Sequence, residues 1–71
     1  MKGLSQKQRI IMDFIGSSIE DQGYPPSIRE IAKGVGLKST STVAGHLTRL
    51  EKKGCIKRLP GIPRAIRIIK Q

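Results

Sequence analysis

The chain has 71 residues, 37% hydrophobic and 27% charged, enough for one small core and too well balanced for a disordered tail. A domain near this size buries only ~60% of its unfolded surface, which leaves little room for a deep catalytic pocket. Fourteen Lys and Arg against five Asp and Glu give a formal net charge of +9, which favours a polyanionic partner.

The excess is lopsided. Residues 1–35 hold five basic and four acidic side chains, whereas residues 36–71 hold nine basic side chains and only Glu51. The first half reads as a neutral scaffold and the second as the source of a positive field. No apolar run approaches the ~20 residues needed to span a bilayer, and the start from Met1 to Ser5 lacks a signal-peptide core. Cys55 stands alone, so no internal disulfide is expected, and no Cys/His grouping has zinc spacing. The expected setting is a reducing cytoplasm, with no metal, cofactor or small-molecule substrate.

Taken in order, the first helix is predicted over residues 5–22. Ser5 with Gln8 has the spacing of a capping box, and Ile11, Phe14, Ile15 and Ile19 recur at helical period. Gly23 ends it, and Tyr24-Pro25-Pro26 must be extended. A second helix is predicted over residues 27–35, where Ser27 with Glu30 repeats the capping box. Ile28, Ile31, Ala32 and Val35 form its apolar face. Gly36 suits a left-handed C-terminal position, with Leu37 placed for the accompanying apolar contact.

The third helix is predicted over residues 40–53, capped by Ser39 or Thr40 and closed by Gly54. Val43, Leu47 and Leu50 share its buried side. Opposite them lie Ser41, Gly45, Thr48, Arg49 and Lys52, flanked by Thr42 and Ala44. That face avoids bulk where a surface helix normally carries Glu and Lys. Beyond it, strands are expected over residues 55–59 and 65–69 around Pro60-Gly61-Ile62-Pro63, with Ile66 and Ile68 on one face and Arg67 on the other. The first strand alternates less cleanly, so its register is weakly specified.

This order gives an α+β winged helix-turn-helix, three helices followed by a two-stranded β-hairpin wing. Its chemistry follows from groove geometry. A major groove about 12 Å wide admits a helix whose leading side chains are short, and Ser or Thr hydroxyls reach base edges. With Tyr24 and Phe14 its only aromatic residues, the chain lacks the stacking platform of single-strand binders. Tyr24 is expected to pack on the scaffold. His46 has no nucleophile or ligand partner and reads as a packing or hydrogen-bonding residue near a phosphate, and Cys55 as a small residue at the wing base. Ile11, Phe14, Ile15, Ile31, Leu47 and Leu50 are assigned to the core.

Several motifs carry a family resemblance. They are the opening Lys2, Leu4, Ser5, Lys7 and Gln8, then Gly23-Tyr24-Pro25-Pro26-Ser27, Glu30-Ile31 and Val35-Gly36-Leu37. They continue through Ser39 to Thr42, His46-Leu47, Leu50, Lys53-Gly54, Ile56 and Arg64-Ala65-Ile66. The chain resembles the N-terminal DNA-binding domain of LexA, the SOS-response repressor family of bacteria, in its Gram-positive version. The resemblance implies binding to a palindromic double-stranded operator, with a second copy on the palindrome and repression of DNA-damage genes. It puts base reading on Ser39, Ser41, Thr42, Ala44 and Gly45. Family members often carry a polar or charged group where Ala44 offers only a methyl. Contacts to the DNA backbone or through the wing fall on Thr40, His46, Arg49, Lys52, Lys53, Arg64 and Arg67, with a surface salt bridge as the rival role for Arg64. LexA proteins also carry a self-cleaving peptidase domain that these 71 residues lack, so no enzyme activity is expected. The competing readings are a winged-helix module binding an acidic protein and a cationic peptide at a membrane surface.

Overall fold

Each of the three helices opens on a serine. In the computed structural model, which describes residues 3–59, 61–62 and 64–69, α1 runs Gln6–Gln22, α2 Ile28–Gly34 and α3 Thr40–Lys52. Ser5 Oγ accepts the Gln8 N–H at 3.1 Å while Gln8 Oε1 accepts the Ser5 N–H at 3.2 Å. Ser27 and Glu30 exchange the same pair of bonds at 3.1 and 3.0 Å. Ser39 Oγ accepts the N–H groups of Ser41 and Thr42 at 3.1 and 3.4 Å. These bonds satisfy donors that a helix start leaves without intrahelical partners.

The helices also stop for local reasons. Gly23 takes φ 84° and donates its N–H to Ile19 O at 2.9 Å. After α2, Gly36 takes φ 77° and the Leu37 N–H bonds Ala32 O at 2.8 Å. After α3, Gly54 takes φ 79° and the Cys55 N–H bonds Leu50 O at 3.0 Å. The last two closures are Schellman motifs, which need a residue free to adopt positive φ. Helices α2 and α3 are therefore joined by residues 35–39, slightly longer than the turn expected from sequence.

Strands β1 (Ile56–Arg58) and β2 (Ile66–Ile68) pair antiparallel, with Ile56 opposite Ile68, Lys57 opposite Arg67 and Arg58 opposite Ile66. The ladder extends through the Ile69 N–H, bonded to Cys55 O at 2.9 Å, and the Leu59 N–H, bonded to Ala65 O at 3.2 Å. The strands are shorter than the sequence suggests. Leu59 is half exposed and turns from the core, and Pro60 and Pro63 of the expected turn lie outside the described residues.

All five elements contribute to one core, made of Ile11, Ile15, Ile31, Ala32, Val43, Leu47, Leu50, Ile56 and Ile66. Phe14 differs from expectation, because it is only half buried and packs at the core's rim. Its ring lies against Gly34 of α2, where a side chain would collide with it. None of the helices is long and apolar enough to cross a membrane among the described residues.

Candidate nucleic-acid interface

The outward side of α3 follows from the burial of its inward side. Val43, Leu47 and Leu50 are fully buried, so residues on the opposite arc must face solvent. Ser41, Thr42, Thr48, Arg49 and Lys52 are exposed, while Ala44, Gly45 and His46 are half buried. A Cβ on Gly45 would meet only Arg49 Nη1, at 3.8 Å. The middle of the face is thus nearly bare backbone, with the Arg49 guanidinium beside it.

Within this stretch the hydroxyls differ in what they have left to offer. Ser39 Oγ is engaged as the helix cap, so its geometry is set by the backbone. Ser41 and Thr42 make no side-chain hydrogen bond within the described protein. Thr48 Oγ1 donates to Ala44 O at 3.0 Å and accepts from Arg58 Nη2 at 3.3 Å, so it joins α3 to the hairpin. Thr40, the first residue of α3, is exposed. His46 turns inward: its Nδ1 is buried with no hydrogen-bond partner among the described residues.

The cations divide in the same way. Arg49, Lys52 and Arg67 are exposed and form no ion pair with any described residue. Glu51, the single carboxylate of α3, is turned to the hairpin. It accepts the Arg58 backbone N–H at 3.3 Å, and Arg58 Nε lies 3.6 Å away. Among the described residues of α3 no carboxylate lies on the outward face.

Two cations expected at the interface have internal partners in the folded chain. Lys53 Nζ donates to Gly3 O at 2.8 Å and to Gln8 Oε1 at 3.0 Å, which ties the end of α3 to the start of α1. That contact gives the Oε1 of the buried Gln8 a second donor beside the Ser5 N–H. Arg64 takes the salt-bridge role, pairing with Glu30 through Nη1–Oε1 at 2.6 Å and Nη2–Oε2 at 2.9 Å. Tyr24, expected to pack on the scaffold, does so only in part. It is half exposed, with the Arg64 guanidinium carbon 5.2 Å from its ring centroid.

A sequence profile described as the LexA DNA binding domain matches residues 1–65. The chain belongs to the LexA DNA-binding domain family. A LexA repressor of Caldicellulosiruptor saccharolyticus is 60% identical over 68 residues, covering 96% of this chain and 34% of the relative. LexA repressors of Brevibacillus brevis and Oceanobacillus iheyensis are 56% and 61% identical over 69 residues, covering 97% of this chain and 33% of each relative. The chain thus spans about a third of the length of these LexA relatives.

The order of helix, helix-turn-helix and hairpin is that of a winged helix-turn-helix, with α3 the second helix of the helix-turn-helix and the hairpin the wing. Sequence reasoning missed the two clamps that join wing and helices. Arg58 reads from sequence as one more surface cation, yet it binds both Thr48 and Glu51. Glu30 is legible as a capping-box residue, but its bond to Arg64 spans 34 positions and leaves no local signal. Among the described residues no cluster of three His, Cys, Asp or Glu side chains is placed to hold a metal.

Proposed function

We propose that this domain docks α3 in the major groove of a double-stranded operator and serves a LexA-type repressor of DNA-damage genes in the bacterial cytoplasm. One observation carries the reading: the outward face of α3 is bare at Gly45, offers Ser41 and Thr42 hydroxyls and is flanked by the cations Arg49 and Lys52, none of them with a side-chain partner among the described residues. Short side chains let the backbone approach the base edges, and hydroxyls can donate or accept there. Ala44 offers a methyl to a thymine. Ser39 and Thr40, at the start of α3, bring backbone N–H groups near a phosphate, where the helix dipole favours negative charge.

Phosphate contacts fall to Arg49, Lys52 and, on the wing, Arg67. His46 supports the helix from its inner flank. A palindromic site lets two copies bind with matched geometry, each reading one half-site. A domain held there blocks access to a promoter.

The test uses the wild-type domain and a pool of randomised duplexes. Selection should enrich a palindrome that binds at least about tenfold tighter than its scrambled counterpart at moderate salt. Ser41→Ala and Thr42→Ala should each lower that ratio, because a good base contact discriminates by ~1–3 kcal/mol. Equal binding to all duplexes, or preference for an acidic polypeptide, would sink the operator reading.

A further inference from the structure

The hairpin tip has little beneath it. An open groove of about 520 Å³ separates the start of α2 from the hairpin loop. On its loop side Leu59 and Ile62 are 53% and 58% exposed, so apolar packing does not fix the loop to the helices. Each strand is three residues long, and an isolated two-stranded hairpin is marginal in water.

Arg64 crosses that gap. Nη1 and Nη2 both donate to Glu30, Nη1 also donates to Pro25 O at 3.3 Å, and the group lies over the Tyr24 ring. All three partners sit at or just before the start of α2. The Arg64 backbone has φ 62°, a left-handed conformation that a non-glycine residue keeps only where its surroundings impose it. Fork-on-carboxylate geometry fixes direction as well as distance, which a lysine would not do. These bonds take three of the five guanidinium N–H donors, and the pair as it stands presents no net charge to a phosphate.

We propose that Arg64 is a positioning residue: through Glu30 it latches the hairpin tip to the N-terminal end of α2 and fixes where the wing lies relative to α3. The second half of this statement rests on the operator reading above. The latch itself does not, because it exists in the free domain. Its loss would let the wing swing and spread Arg67 over many positions, so that binding weakens although no DNA contact has been removed.

The decisive variants are Glu30→Gln, which keeps a capping-box side chain while removing the charge, Arg64→Ala, and the double variant. Circular dichroism first establishes that each is folded at the temperature used. Amide exchange at Leu59 and Ile66 in the free domain then reads the latch, and both single variants should exchange several-fold faster while α1 amides are unchanged. On the selected palindrome, both should bind about three- to tenfold more weakly. The double variant should bind no worse than Arg64→Ala, since each change removes the same interaction. The dependence of affinity on salt should keep the wild-type slope. Tighter binding by Glu30→Gln, with a slope steeper by about one, would overturn the proposal by showing a freed Arg64 that takes a phosphate. Unchanged exchange at Leu59 and Ile66 would overturn the latch outright. Wild-type protein that fails to prefer the palindrome would overturn the operator reading, and the exchange result would still judge the latch.

Discussion

The Phe14 ring occupies the space that a side chain on Gly34 would need, so α1 and α2 meet closely at a position with no Cβ. Glycine is otherwise a poor choice inside a helix, by about 0.5–1 kcal/mol relative to alanine. Gly34→Ala should therefore destabilise the domain despite its helix propensity, by about 1–3 kcal/mol as the ring is forced aside. Gly45→Ala, whose Cβ would make only an ordinary contact with Arg49, should be neutral or stabilising by up to about 1 kcal/mol. Thermal melts of the pair would test the contrast, and equal shifts would contradict it.

Leu47 is fully buried between the other helices and the hairpin. Leu47→Ala should cost ~2–5 kcal/mol through lost burial and the cavity left behind, a large share of a small domain's stability. A melting temperature close to that of the wild type would be incompatible with the packing described.

Lys52 and Lys53 are neighbours in sequence with opposite duties. Lys52→Ala should lower the slope of affinity against salt by about one and change stability by less than about 0.5 kcal/mol. Lys53→Met should do the reverse. It severs the bonds to Gly3 O and Gln8 Oε1, costing about 1 kcal/mol, and leaves the salt slope unaltered. Urea titrations and salt titrations on the same two proteins would separate the roles.

The Glu30 carboxyl is held down from 4.5 to about 2, first by its hydrogen bond from Arg64 and then by the Ser27 N–H. A group whose folded pKa is depressed contributes stability above its unfolded pKa and loses it as pH falls through the folded value. The gap in melting temperature between wild type and Glu30→Gln should accordingly be constant from pH 7 to about 5. It should close between about pH 4.5 and 2. A gap that widens on acidification would contradict the Glu30–Arg64 pairing.

Much of this fold was legible because its signals are local. Ser5 with Gln8 and Ser27 with Glu30 fall three residues apart, Gly23, Gly36 and Gly54 mark helix ends, and Val43, Leu47 and Leu50 mark a helical face. The face of α3 opposite that stripe was legible for the same reason. What escaped the sequence is pairing at a distance. Lys53 reads as one more cation on a basic helix, and only the folded chain brings Gly3 and Gln8 to it. Arg64 likewise meets Glu30 because the hairpin folds back beside α2. Phe14 keeps the apolar period of α1, yet its ring lies against Gly34 of α2, a contact periodicity does not encode.

Lys57 and Arg67 stand directly opposite each other on the exposed face of the hairpin, an arrangement that weakens the pairing of β1 with β2. Among the described residues, each strand of this two-stranded sheet also has an edge with no strand beside it. Such edges invite further strands to add, and lysine and arginine are among the side chains that keep them apart. A stacked hairpin would align four cations where two are already unfavourable. The repulsion that loosens the wing would therefore also oppose a second copy of the chain adding edge to edge into a longer sheet.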